Sequence, residues 1–228
     1  ITSQHGLIYS RLIQSFGEET ARRYAKANQD AVRAYQDLID VQGISCDWEE
    51  RCAYLYGPDV TVLQEEAEAA RCLGLLASFT REVSIPIPHD GAVRFEGQAQ
   101  FHPLKFLKVL ADQLTIYEQS RVLTAEGDLL TTELGSVQAE HIVFACHFPF
   151  VNFPGMYFAR MHQERSYVLA LQGAPPVDGM FLGVGRDTFS LRTYGELLLL
   201  GGGGHRTGEN TEGGQYDLLR RKAREGFP

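Results

Sequence analysis

The stretch that most restricts the fold of this chain is Glu196-Leu-Leu-Leu-Leu-Gly-Gly-Gly-Gly-His205-Arg-Thr-Gly208. Four consecutive leucines predict a strand buried on both faces, or nearly so. The four glycines that follow give the backbone freedom to turn and to lie against something flat. An imidazole and a guanidinium, His205 and Arg206, come next. A strand that delivers bare backbone and then two polar heads suits a ligand site. The same run also suits a plain loop, because short motifs of this kind are weak.

The remaining sequence limits what such a site could serve. The chain has 228 residues, enough for one large domain or two small ones with a real core. A formal net charge of −8, with no basic cluster, argues against nucleic acid. Cys46, Cys52, Cys72 and Cys146 form no CxxC pair and read as free thiols of a reducing, cytoplasmic compartment. No apolar run is long enough to cross a membrane. None of the seven histidines sits four residues from another in a helical pattern, which sets a metal-dependent hydrolase aside, and no metal is expected.

The order of elements predicts an α+β fold. Leu7–Ile13 reads as a helical turn, and Ser15-Phe-Gly-Glu18 as a capping box opening a helix to about Val41, closed by Gly43. Cys46–Tyr56 reads as a strand, and Asp59–Leu73 as a second helix with Glu65, Glu66 and Glu68 on a solvated face. Strands are expected at Arg81–Ile87 and Gly91–Ala99, and a helix at Phe101–Asp112 with Pro103 at its first position. In that helix Phe106, Leu107, Leu110 and Leu114 form the expected buried stripe, with His102 near the cap. Short strands follow at Thr115–Glu118, Arg121–Thr124, Leu129–Glu133 and His141–Ala145, the last fully apolar and so expected to be buried. The small residue Ala145 at its end suits a ligand that approaches the backbone, and His147 beside it is either part of that approach or structural. Phe158–Leu171 reads as one long strand. Met180–Val184, Phe189–Thr193 and Leu197–Leu200 read as an antiparallel meander, and Gln215–Arg224 as a final helix.

Four of these stretches, in order, resemble one family: Thr2-Ser-Gln-His-Gly-Leu-Ile-Tyr9, His102-Pro-Leu-Lys-Phe-Leu107, Ile142-Val-Phe-Ala-Cys-His147 and Gly201-Gly-Gly-Gly-His-Arg-Thr-Gly208. The set is similar to FAD-dependent oxidoreductases of the D-amino-acid oxidase, glycine oxidase and sarcosine oxidase type, above all to the bacterial branch that often carries a Rieske domain. The resemblance implies a mixed or antiparallel substrate-domain sheet backed by helices, interleaved with a Rossmann-type FAD domain. Residues 1–113 and 151–228 then belong to the substrate domain and 114–150 to the FAD domain.

It further implies that Ser3, Gln4 and His5 form a flavin-side loop, that Val122 meets the adenine, and that Ala145 and His147 lie near the dinucleotide. Gly203 and Gly204 pass over the flavin. His205 contacts substrate or flavin, Arg206 anchors a substrate carboxylate, and Tyr167 walls the pocket, so that His205 and Tyr167 are the catalytic candidates. The implied reaction oxidises an amine or amino acid by hydride transfer to FAD. The family's GxGxxG fingerprint and last flavin-binding segment are not in this stretch, and Cys146-His147 is not a Rieske ligand box. The resemblance therefore implies an internal piece of a longer protein, with FAD in the parent rather than in this piece, and with self-association where a face is left uncovered. The alternative is a non-catalytic module of the same fold that binds a small molecule or a protein without flavin.

Overall fold

The structure is a computed structural model, and it describes residues 1–153, 155–185, 188–209 and 214–227. The chain forms two compact units. The larger holds 1–109, 166–204 and 213–228, and the smaller holds 110–165 and 205–212. The architecture is mixed α/β with a mostly antiparallel main sheet.

In the larger unit, α1 (Tyr9–Phe16) and α2 (Glu18–Gln42) precede β1 (Glu49–Gly57), and α3 (Val60–Cys72) leads into β2 (Ala77–Thr80) and β3 (Gly91–Gln100). The helix α4 (Pro103–Ala111) then runs from the larger into the smaller unit. The smaller unit has β4 (Val122–Glu126), β5 (Leu129–Thr132), β6 (Ser136–Gln138) and the short α5 (Tyr157–Arg160). The chain closes with β7 (Glu164–Gln172), β8 (Met180–Gly183), β9 (Ser190–Tyr194), β10 (Leu197–Arg206) and α6 (Tyr216–Gly226).

The main sheet has seven strands in the order β2-β3-β1-β8-β9-β10-β7. β1 pairs antiparallel with β3 and parallel with β8, while β8, β9 and β10 form the expected antiparallel meander. Period-2 alternation gives β1 two faces. Ala53 and Leu55 pack with Val93, Phe95 and the apolar stripes of α1, α2 and α3, whereas Tyr56 packs with Phe181, Leu191, Leu198, Leu200 and Leu219 of α6. In β10, Leu198 and Leu200 are buried while Leu197 and Leu199 are only half-buried, so the leucine run is one-sided rather than buried on both faces.

Several local expectations are revised. Ser15 caps nothing: it lies inside α1, and Gly17 stands at the start of α2 without a side-chain cap. Glu66 is not on a wet face but fully buried. Its Oε1 accepts the backbone N–H of Ile8 at 2.8 Å and of Tyr9 at 2.7 Å, and its Oε2 that of Ser10 at 3.0 Å. This carboxylate fills the orphan donors at the start of α1 and complements the helix dipole, work that neither Ile8 nor a local Ser does. Residues 81–87 form no strand, and the edge strand instead is Ala77–Thr80. Leu107 and Leu114 are exposed, leaving Phe106 as the buried anchor of α4. Thr115–Glu118 and His141–Ala145 form no strands, and Val143 is 86% exposed. The expected long strand from Phe158 is split into α5 and β7.

Removing Glu66 strands three N–H groups at once, that of Tyr9 buried and those of Ile8 and Ser10 half-buried. Glu66→Ala is expected to destabilise the larger unit by about 3 kcal/mol, and Glu66→Gln by roughly half of that because its amide oxygen still accepts. Urea midpoints of the two variants, read by circular dichroism, check the order.

Candidate functional site

The glycine run is not a loop. Gly201–Gly204 continue β10, and the strand ends only at Arg206. The chain's own side chains occupy the space that a Cβ would take. At Gly201 a Cβ would stand 2.4 Å from Ser190 Oγ, at Gly202 2.7 Å from the Phe189 ring, and at Gly203 2.6 Å from Gln215 Cβ. Gly203 also has φ +65, a left-handed conformation that glycine adopts without penalty. Close packing of the strand against β9 and the start of α6 therefore demands glycine at these positions, whatever else lies over the backbone.

Tyr167 on β7 is buried within the cluster of Leu198, Leu200 and Leu219, with the Tyr216 ring edge-on at 5.1 Å. Its ring carbon Cδ2 lies 3.6 Å from the Gly203 Cβ position, so the structure brings these two candidates together. His205 is half-buried, with Nδ1 2.9 Å from the Arg206 carbonyl oxygen, and Arg206 is exposed. Both fall in the smaller unit with Thr207, whose N–H donates to the Gln163 carbonyl.

In the opening segment, Ser3 and Gln4 are buried and His5 is exposed. Gln98 Oε1 accepts the Ser3 N–H at 2.6 Å and the Ser3 hydroxyl at 3.2 Å. Gln98 Nε2 in turn donates to Gln29 Oε1 at 3.0 Å, and the Tyr9 hydroxyl donates to the Ser3 carbonyl. Burial pushes the Tyr9 phenol far above its usual range, so this donor stays protonated. The loop is held from beneath by a satisfied polar network, which leaves its backbone placement rather than the Ser3 hydroxyl as its functional asset. His5 Nδ1 sits 3.0 Å from the Tyr24 hydroxyl.

The smaller unit contains an apolar cavity of about 250 Å³ lined by Val122, Leu130, Phe150 and the 142–146 segment, including Ala145. Two candidates twenty-three positions apart thus share one wall. His147, with φ +64, is exposed and outside the lining. A slot of this size with aliphatic and aromatic walls fits a flat heterocycle.

One cluster had no sequence signal beyond the 102–107 motif. Asp47, itself at φ +56, takes Lys105 Nζ at 2.9 and 2.7 Å and the Tyr194 hydroxyl at 2.7 Å. Lys105 and Tyr194 hold the Asp47 carboxyl below the usual carboxylate range, and Asp47 raises Lys105 and Tyr194. Lys105 N–H also points at His102 Nδ1 over 3.4 Å, a loose cap on α4. With its carboxylate occupied by two donors, Asp47 is a clamp on α4 rather than a general base. Among the described residues no group of three or more His, Cys, Asp or Glu could hold a metal, and no helix is long and apolar enough to cross a membrane.

A family model described as FAD dependent oxidoreductase matches residues 4–228. The chain belongs to that family. The cofactor of this FAD dependent oxidoreductase family is FAD. The chain is 34% identical over 243 residues to the putative Rieske 2Fe-2S iron-sulfur protein YhfW of Bacillus subtilis (strain 168), a match that covers 98% of this chain and 47% of that protein. L-proline dehydrogenase from P. horikoshii superposes with a TM-score of 0.66 at 11% identity, over 89% of this chain and 61% of that one. Glycine oxidase from Geobacillus kaustophilus gives 0.62 at 17% identity, over 98% and 63%. At such identities these two structures show a shared fold. The chain spans about half the length of the curated relative it matches.

The crowding at β10 gives a direct test. Gly203→Ala is expected to cost about 2 kcal/mol, from the left-handed backbone and the contact with Gln215 together. Gly135→Ala, with nothing within 4 Å of its Cβ position, should stay within roughly 0.5 kcal/mol. Thermal melts of the pair separate the two cases.

Proposed function

We propose that this chain is the central part of an FAD-dependent enzyme that oxidises the C–N bond of an amine or amino acid, its hydride passing to the flavin. Membership of the FAD dependent oxidoreductase family supports the reading, as do structural neighbours named for oxidation of glycine, of proline and of iminodiacetate. The single observation that supports the cofactor part is the apolar cavity that both Val122 and Ala145 line. When bound, FAD supplies the two-electron acceptor, and the protein's part is to bind, orient and exclude water.

The residues divide that work by their chemistry. Val122 and Ala145 offer apolar contact to the adenine end, and His147 borders the turn beside the dinucleotide. Ser3, Gln4 and His5 supply a flavin-side loop whose backbone is fixed through Gln98. Gly203 and Gly204 present backbone without side chains to the ring. Tyr167 forms an aromatic wall, stiffened by Tyr216. His205 makes a polar contact to substrate or flavin, and Arg206 matches a substrate carboxylate as a charge-assisted partner.

The reading is tested in the full-length protein by anaerobic reduction of bound flavin with amines and amino acids. His205→Ala and Tyr167→Phe are expected to slow reduction about tenfold to a hundredfold, the scale of a misplaced substrate. Unchanged reduction in both removes their assignment. Val122→Asp places a carboxylate in the apolar slot, and the purified variant should lose most of its visible flavin absorbance.

Exposed apolar side chains in the smaller unit, among them Val143, Leu134, Tyr117 and Phe153, make a large sticky surface. The 228-residue chain alone is therefore expected to self-associate. A monodisperse monomer in light scattering overturns that expectation.

A further inference from the structure

The largest cavity among those described, about 470 Å³, lies wholly in the larger unit and includes none of the residues assigned above to flavin or substrate. It sits where β1 and β8 end and β9 begins. Its walls are Tyr56, Phe189, Ile87, Val184 and three prolines, Pro58, Pro86 and Pro88.

Three features make it a preformed site. Tyr56 is 3% exposed, and its hydroxyl donates to the Phe189 carbonyl at 2.8 Å. Burial pushes that phenol up to about 12, so the bond persists at neutral pH and the ring stays fixed. The prolines restrict their own backbone, which lowers the ordering cost of filling the space. Finally, the last turns of α6 bring two opposite charges to the same wall: Lys222 Nζ and Glu225 Oε2 are 2.7 Å apart, with the ammonium 6.0 Å from the Phe189 ring centre.

An apolar floor with an ion pair at the rim is complementary to a zwitterion that carries an apolar side chain. We propose that this cavity binds a free α-amino acid with an aromatic or branched side chain. Its carboxylate meets Lys222, its ammonium meets Glu225, and its side chain lies among Tyr56, Phe189 and the prolines. A zwitterion meets both members of this pair with opposite charge, a ligand with only one charge meets one member and lies beside the like charge of the other, and a neutral apolar ligand leaves the pair as it is. Since the rim pair is half in water, the floor supplies most of the affinity and the pair supplies the choice of head group. The proposal does not depend on flavin or on turnover.

The experiment is calorimetric titration of the full-length protein with L-phenylalanine, 3-phenylpropanoate and 2-phenylethylamine, which share one ring and differ in charge. L-Phenylalanine is expected to bind saturably, and each singly charged analogue about tenfold more weakly, as for loss of one charge-assisted hydrogen bond. Lys222→Met and Glu225→Gln should each weaken L-phenylalanine by about the same factor. Their melting temperatures should stay nearly unchanged, because an ion pair half in water contributes little to stability. Val184→Phe, which fills the cavity, should abolish binding. In the same protein, binding at the proposed catalytic centre is separated by His205→Ala, which should leave this titration intact. No saturable binding, equal binding of the three probes, or binding retained in Lys222→Met and Glu225→Gln overturns the proposal.

Discussion

Four residue pairs, Ala53–Met180 through Tyr56–Gly183, hold the main sheet together as one object. They are its parallel seam. On one side lie β1, β3 and β2 with the helices of the first half, and on the other the meander of the second half. The partners are more than a hundred residues apart, so no local preference brings them into register. Burial on both faces does. Ala53 and Leu55 point into the helical layer, Tyr56 points into the layer of α6, and a slip by one residue would exchange the two sets. Gly183 completes the seam because a Cβ there would meet Thr188 and the Tyr56 ring at 2.7 and 3.0 Å. The aromatic wall of the large cavity is thus also a structural member.

The same seam explains which parts of the fold were legible. α2, α3, β8 and β9 follow from period and from turn chemistry, both short-range, and lie within a few residues of expectation, whereas β10 runs six residues past the expected end at Leu200. Glu66 was not legible. On a helix bearing Glu65 and Glu68 it looks solvated, and only α1 folding over it gives its carboxylate three N–H partners. Ile142–Ala145 failed for the converse reason. An apolar run predicts a buried strand, yet its side chains line an open slot and face outward. Apolar sequence marks surface that wants covering, and it does not say whether the cover is the chain itself or something bound.

The glycine run lies between these cases. Its composition announced closeness of backbone to something, and the closeness is real, but Ser190, Phe189 and Gln215 account for three of the four positions. The sequence could not separate internal crowding from contact with a ligand, since both require the Cβ to be absent. What separates them is direction. The Cβ positions of Gly201, Gly202 and Gly203 are taken by Ser190, Phe189 and Gln215, and β10 itself lies paired between β9 and β7, so a ring laid on it would meet only the bare face of an already paired backbone.

That distinction decides how much chemistry the chain can be asked to perform. The polar groups among the described candidates are largely committed: the Ser3 hydroxyl to Gln98, the Tyr56 hydroxyl to Phe189, the Asp47 carboxylate to Lys105 and Tyr194. A side chain already bonded in this way gains nothing by abstracting a proton from a substrate, because it would first have to give up a partner. Such groups fix surfaces. Where a cofactor carries the electrons, the protein around it has little more to supply than fixed surfaces. The committed network and the crowded glycines are surfaces of that kind.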